Sequence, residues 1–254
     1  MSRASRAMFD GRFGEAERVN AGAVELRSHG HGALGGVDDT TLYYVTHLQT
    51  WALRRERGEL AQVRESIERY VAEYPTLFIF RCVLVSVYSQ LGRGKQAQQE
   101  LDRLGADDFE GLEVGTEWHF GASLLAEACA SLDDTRHAPR LYEALAPYGD
   151  YNVMAHPEFS LGSAARYLGI LASTMSRWRE ATAHFEQALT MNSSMGTRPW
   201  LAHTQHDYAA MLLVRDEPGK RERARALIRE AVNSYRELGM KNWADKASEL
   251  EQGL

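Results

Sequence analysis

Small and apolar residues recur at helical spacing on both sides of a short turn at Met175–Arg177. Gly169 precedes this turn, and Ala181, Phe185 and Ala188 follow it at spacings of four and three residues. Residues at such spacings share one face of a helix. The pattern therefore predicts two helices that approach closely where Gly169 has no side chain, with Phe185 filling the space between them.

The small residue at the position of Ala181 recurs along the chain at separations of 34 to 47 residues. These anchor positions are Ala16, Val63, Ala97, Ala138, Ala181 and Ala224. Each one predicts the second helix of a helix pair, and the pairs span residues 1–28, 40–75, 77–105, 117–148, 160–192 and 200–239. A last helix over 241–252 is predicted to cap the sixth pair. Because no stretch alternates apolar and polar residues, we predict an all-α fold with essentially no sheet.

Several single residues refine this prediction. Trp51 occupies the place in the second pair that Gly169 has in the fifth, so we expect the second pair to splay apart. Gly239 is typical of a helix C-cap, and Asp39 or Thr40 can cap the helix that follows a flexible loop over 29–36. The two cysteines, Cys82 and Cys129, are expected to act as small apolar residues within their helices.

The helix–turn–helix pattern, with Tyr88 and Gly92 as well as the anchor positions, resembles the tetratricopeptide repeat. The resemblance implies a right-handed α-solenoid of about six helix pairs plus the C-terminal capping helix. Arrays of this kind bind partners and are rarely enzymes.

Six segments further resemble the C-terminal arrays of bacterial signalling proteins that carry an AAA-like or STAND-type ATPase, often with an adenylate/guanylate cyclase or DNA-binding domain. These segments are Tyr142–Tyr148, Tyr167–Ala172, Arg177–Ala181, His184–Leu189, Met195–Trp200 and Glu237–Met240. The resemblance implies a non-catalytic protein-interaction or regulatory array, the sensing or scaffolding tail of such a protein. The alternative is a sensor that holds a small molecule inside the superhelix.

Composition narrows the classes of partner. A formal net charge of −6 argues against direct binding of nucleic acid, which requires a basic surface. No apolar run reaches the roughly 18–20 residues that span a bilayer. Two cysteines are too few for a disulfide framework. We therefore expect a cytoplasmic protein that does not contact membrane.

Motifs for catalysis and cofactors are weak in this chain. Gly30–Gly35 matches G-x-G-x-x-G, but a helix rather than a strand is predicted before it, so we interpret it as an interhelical loop. Two histidine clusters have ligand-like spacing, yet neither completes a tetrahedral metal set, so solvent-exposed histidines are expected. They are His29 and His31 with Asp38 or Asp39, and His203 with His206 or Asp207. We expect no metal, no cofactor and no enzymatic activity.

Polar residues on the first helices of the pairs define a candidate partner groove: Glu127, Arg166, Tyr167, His203 and His206. Chaperone-binding repeats place Lys and Asn at such positions to bind a peptide carboxylate, and this sequence has neither there. The alternative interpretation of the five residues is an ordinary solvated face.

The N-terminal unit has only a short leading helix. Met8, Phe9 and Phe13 are therefore expected at an open apolar edge of the array. Such edges are usually contact surfaces. This predicts either self-association through that edge or docking there on an ATPase or cyclase module.

Overall fold

A computed structural model describes residues 2–28, 39–109, 118–155, 159–215, 217 and 219–253, with side chains described outside 23–28 and 39–44. Within these residues the chain is mostly helical, which confirms the predicted helical class. The interhelical loop predicted over 29–36 lies outside the described residues, as do the side chains of Asp39 and Thr40.

Thirteen α-helices occur in the described part of the chain. They are α1 (Arg3–Phe9), α2 (Phe13–Ser28), α3 (Asp39–Arg57), α4 (Arg64–Glu73), α5 (Phe78–Gln90), α6 (Gly94–Gly105), α7 (Trp118–Leu132), α8 (Ala138–Leu145), α9 (Ala164–Thr174), α10 (Trp178–Ser194), α11 (Arg198–Arg215), α12 (Lys220–Glu237) and α13 (Lys241–Gln252). Short 3₁₀ turns at Leu60–Gln62 and Ala146–Tyr148 precede α4 and follow α8.

Helices of two kinds alternate along much of the chain. Helices α5, α7 and α9 are apolar on most faces and lie almost wholly buried. Helix α6 instead buries one stripe, formed by Ala97, Leu101 and Leu104. A helix that is apolar all round belongs inside, whereas an amphipathic one covers it. Accordingly α5 packs on α6, α7 on α8, α9 on α10 and α11 on α12, while α5, α7 and α9 also contact one another in sequence.

The predicted close approach of α9 and α10 is confirmed. A Cβ atom added at Gly169 would lie 3.0 Å from three ring atoms of Phe185, which is itself 1% exposed. All six anchor positions are buried as well. The small side chains therefore permit close helix contact at these points.

One helix ending recurs throughout the fold. At the ends of α1, α3, α5, α7, α9, α10 and α12, a backbone N–H bonds the carbonyl five residues before it, with a positive φ at the residue preceding the N–H or close to it. This is the Schellman motif, in which a left-handed residue lets the chain turn sharply. Gly239, with a φ of +71°, fills this position after α12, as predicted for a C-cap.

The structure adds a two-stranded antiparallel hairpin, which corrects the prediction of essentially no sheet. Strands β1 (Asn152–Ala155) and β2 (Phe159–Ser163) pair with Ala155 opposite Phe159. All five residues of β2 are buried, including Ser160 and Ser163, and its apolar–polar alternation extends over too few residues to count as a sustained pattern. Distant groups hold it: Tyr167 donates to the Leu161 carbonyl at 2.9 Å, and the Asn192 side-chain oxygen accepts from the Ser163 N–H at 3.0 Å.

The N-terminal helices pack against the C-terminal ones, so the prediction of an open N-terminal edge is wrong. Met8, Phe9 and Phe13 are only 7%, 7% and 6% exposed. Helix α1 contacts β2, and the hydroxyl of Thr197 donates to the Phe9 carbonyl at 3.1 Å. These apolar side chains are covered by the chain itself, because strand β2 and the start of α11 lie over α1.

A second contact joins the two ends. Helix α3 packs on α13, and a Cβ added at Gly58 would lie 2.3 Å from the Cβ of Asn242. Helix α3 contacts α2 and α13 more extensively than it contacts α4. This arrangement is consistent with the expectation that Trp51 splays the second pair.

Candidate functional site

Helix α3 places one of its faces against the inner helices of the fold. Trp51 is fully buried, and its ring lies 6.0 Å from the rings of both Phe120 and Phe159. One turn later, Arg55 is also buried, with its guanidinium 5.6–5.9 Å from the rings of Trp51, Trp200 and Trp243. Three indole rings around one guanidinium form a cation–π environment that substitutes in part for lost hydration.

A chain of buried ion pairs begins at Arg55. Its Nη2 donates to both carboxylate oxygens of Glu127, at 2.7 and 3.0 Å. Arg166 donates to the same carboxylate at 2.8 Å and, through Nε, to Asp207 at 2.7 Å. These four residues belong to α3, α7, α9 and α11, so the chain of ion pairs links four helices.

Burial and pairing act in opposite directions on these groups. Burial alone would raise the pKa of Glu127, but the charges of Arg55 and Arg166 hold the pKa below its usual value. Burial would likewise lower the pKa of Arg166, yet Asp207 and Glu127 hold it well above the ordinary value. The ion pairs therefore keep Glu127 and Arg166 charged in the interior, where an uncompensated charge would be strongly destabilising.

A second buried chain runs through His203. Its Nε2 lies 2.8 Å from the Glu56 carboxylate, and its Nδ1 lies 2.8 Å from the Tyr235 hydroxyl. Burial lowers the pKa of His203 despite the opposing effect of Glu56. A neutral ring then donates from Nε2 to Glu56 and accepts from Tyr235, which satisfies all three groups. Because all three are at most 5% exposed, this set connects α3, α11 and α12 and is not open to a substrate.

Next to the ion-pair chain lies a cavity of about 540 Å³, which we call the central cavity. Residues of α5, α7, α9, α10, α11 and α13 line it, among them Ser89, Glu127, Arg166, Ile170, Trp178, Phe185, Asp207, Met211, Trp243 and Lys246. Its size falls within the range of small-molecule sites, about 300–1,000 Å³. Apolar and aromatic walls with a few polar groups are also typical of such sites.

Lys246 is the cavity-lining cation that has no ion pair with any described carboxylate. Its ammonium lies 5.1 Å from the centre of the Trp243 ring, one turn earlier on α13. Burial lowers the pKa of Lys246. The side chain thus places a partly desolvated positive charge at the cavity wall.

The structure separates the five residues of the predicted partner groove. Glu127 and Arg166 line the central cavity, whereas Tyr167, His203 and His206 do not. Tyr167 and His203 are at most 1% exposed, and His206 is partly buried. The interpretation of the set as a solvated face is therefore wrong, and so is the expectation that His203 is solvent-exposed. Both errors arise because α3 covers this surface, and a pattern of first-helix positions does not reveal that.

Four important residues escaped sequence reasoning: Arg55, Glu56, Asp207 in its ion-pair role, and Lys246. The bonded partners of the first three are far away in sequence: Arg55 and Glu127 are 72 positions apart, Glu56 and His203 are 147 apart, and Asp207 and Arg166 are 41 apart. The available signal was Trp51, a large aromatic at a position where a small residue is expected, followed one turn later by a charged pair. That combination indicated a helix with an unusual environment.

Other chemistry candidates are accounted for by internal bonds. Asp102, Asp134 and His137 have ligand atoms within 4.8 Å of one another. However, Asp134 accepts from Gln98 at 2.7 Å and lies 2.9 Å from His137 Nδ1, so hydrogen bonds already explain the cluster. Both cysteines are buried and free, as expected for apolar roles, and burial raises the pKa of Cys82 to about 12. Among the described helices, none has both the length and the apolar character needed to span a bilayer.

Comparison of the chain with protein-family models, with curated proteins and with solved structures finds no match in any of the three.

Proposed function

We propose that this chain is a non-catalytic sensing module that binds a small ligand in the central cavity. The observation that carries the proposal is the cavity itself, about 540 Å³ in volume and walled by six helices. A ligand that contacts α5, α7, α9, α11 and α13 together would stabilise one arrangement of these helices over others. Differential affinity of this kind is what allows a ligand to shift a conformational equilibrium.

The charged groups beside the cavity support binding rather than catalysis. Glu127 and Asp207 are each bonded to arginine, and His203 is bonded on both ring nitrogens. A general base needs a free lone pair within reach of its substrate. These groups instead fix the cavity wall, so we assign the chain a binding role.

The wider setting of the proposal comes from the resemblance to tetratricopeptide arrays. In that setting the helix pairs form an α-solenoid, and the chain is the regulatory tail of a bacterial signalling ATPase or cyclase in the cytoplasm. The pairs α5/α6, α7/α8, α9/α10 and α11/α12, with small residues at the anchor positions, support this view.

A thermal-shift screen with a metabolite library tests the proposal. A true ligand should raise the melting temperature of the parent, since binding only to the folded state stabilises it. Ala210→Trp, which fills the cavity from α11, should abolish the shift, whereas Ala183→Trp on the exposed face of α10 should preserve it. A shift that survives Ala210→Trp, or a complete absence of shifts, would count against a cavity-binding function.

A protein partner is the second candidate, favoured by an aromatic group on the surface. Tyr148 and Tyr151 are 40% and 63% exposed, and the Tyr148 ring packs on Trp118 with 4.8 Å between centroids. Exposed aromatic residues of this kind are enriched at protein interfaces. Affinity purification with the parent, Tyr151→Ser and the matched surface variant Tyr74→Ser tests this role. A specific partner should be lost only with Tyr151→Ser, and equal recovery with all three chains argues against the surface.

A further inference from the structure

The central cavity is lined by both apolar and polar side chains. Ile170, Phe185 and Met211 contribute apolar groups from α9, α10 and α11. Ser89 on α5, with Trp243 and Lys246 on α13, contributes polar groups. A molecule that fills this space must therefore combine an apolar body with at least one polar group.

The unpaired polar groups on residues that line the cavity can all donate a hydrogen bond. The Nε1 of Trp243 and the Oγ of Ser89 are buried without a hydrogen-bond partner among the described residues. The Lys246 ammonium is likewise without an ion pair in that part of the chain. A buried donor left unpaired is destabilising, so such groups normally have an acceptor. Two of the three donors, on Trp243 and Lys246, lie one turn apart on α13. The groups that lack an acceptor are therefore concentrated on that helix.

The carboxylates that line the cavity do not require a cationic ligand, because each is paired with arginine or exposed to solvent. Glu127 is bonded by both Arg55 and Arg166, and Asp207 is bonded by Arg166. The remaining lining carboxylate, Asp133, is exposed to solvent. Lys246, which is partly buried, is therefore the charged group at the cavity that lacks a counter-ion among the described residues. The lowered pKa of Lys246 reflects the same desolvation, which a bound anion would offset.

We infer that the central cavity takes a small organic anion, a carboxylate carried on an apolar body, with Lys246 as its ion partner. The carboxylate accepts from the Lys246 ammonium, and the body packs against Ile170, Phe185 and Met211. This inference rests on the proposed function, because it assumes that the cavity is a ligand site.

Calorimetric titration of the full chain with three probes of equal chain length tests the charge of the ligand. The probes are octanoate, octanol and octylammonium, which share an apolar body and differ in the head group. Octanoate should bind about tenfold more tightly than octanol, as expected for a charge-assisted hydrogen bond in a partly buried site. Octylammonium should bind more weakly than both.

Lys246→Gln should reduce octanoate affinity about tenfold, to the level of octanol, and leave octanol affinity unchanged. Lys241→Gln changes an exposed lysine at the start of the same helix, outside the cavity, and should have no effect. Melting temperatures of both variants establish that they are folded. Octanol or octylammonium binding as tightly as octanoate, or octanoate affinity that is insensitive to Lys246→Gln, would overturn the anion assignment and leave cavity binding intact. If none of the three probes binds, the anion assignment fails, and the separate metabolite screen with Ala210→Trp decides whether the proposed function fails with it.

Discussion

Arg55 in α3 and Glu127 in α7 form a buried ion pair in which one guanidinium nitrogen contacts both carboxylate oxygens, at 2.7 and 3.0 Å. The arginine side chain is fully buried and the glutamate side chain is 16% exposed. This pair fixes α3 to the inner helices and leads directly into Arg166 and the cavity wall. The pair therefore connects the N-terminal part of the fold to its candidate ligand site.

Removing one member of this pair should lower the stability of the fold substantially. Arg55→Leu should lower the free energy of unfolding by about 3–5 kcal/mol, because Glu127 loses a partner in a buried site. Arg54→Leu provides the control, since Arg54 is 27% exposed and its pairs with Glu17 and Glu59 should contribute no more than about 1 kcal/mol. Urea unfolding of both variants measures the difference. Similar losses in the two variants would argue against a special role for Arg55.

The contact between α9 and α10 predicts two separate effects. Gly169→Leu should cost about 1–3 kcal/mol, because its side chain would overlap the Phe185 ring. Phe185→Ala should cost about 3–5 kcal/mol through the cavity that it leaves. Thermal unfolding of the two variants, compared with the exposed Ala183→Gln change on α10, checks both values. An unchanged melting temperature in either variant contradicts the close approach.

Two glycines with the same backbone conformation test the contact between α3 and α13. Gly58 and Gly92 have φ of +74° and +70°, so an alanine at either position should cost about 1 kcal/mol from the backbone alone. Only at Gly58 would the new Cβ also meet another residue, the Asn242 Cβ at 2.3 Å. Gly58→Ala should therefore cost about 1–3 kcal/mol more than Gly92→Ala. Equal losses in the free energy of unfolding, measured with urea, would mean that α13 does not contact this turn.

His206 predicts how stability depends on pH. Burial lowers the pKa of His206 from 6.5 to about 4, with Asp207 acting in the opposite direction. The unfolded chain therefore binds a proton before the folded chain does. The contribution of neutral His206 to the free energy of unfolding is complete above pH 6.5. It decreases by about 2–3 kcal/mol as the pH falls toward 4. His206→Phe, which keeps an aromatic ring without titration, should lose less stability than the parent over this interval. Urea unfolding from pH 8 to pH 4 measures both curves, and parallel curves would contradict the shifted pKa.

Sequence periodicity predicted the features that depend on local spacing. Gly169, Phe185 and the anchor positions lie where a 3.6-residue period places them, because close helix contact selects small residues at regular intervals. Gly239 was recognisable for a similar reason, since the turn needs a left-handed residue at that point. Both are decided by residues a few positions apart.

The candidate site depends on long-range contacts, and periodicity carries no information about those. Arg55 meets Glu127 only because α3 packs against the inner helices, and the same packing buries His203. The apolar group around Phe9 looked like a free edge because its cover, β2 and the start of α11, lies more than 140 residues later. The hairpin itself was not predicted because strands of four and five residues are too short to show a sustained alternation of apolar and polar positions.

The contact between Thr197 and Phe9 has a consequence for the way the chain unfolds. In a linear array each unit touches only its neighbours, and terminal units can detach first. Here the first helix is held by β2 and by the start of α11, while α3 is held by α13. Release of either terminus exposes apolar surface on the other, so loss of one end destabilises both. The two ends should therefore detach together, and the chain should behave as one cooperative unit.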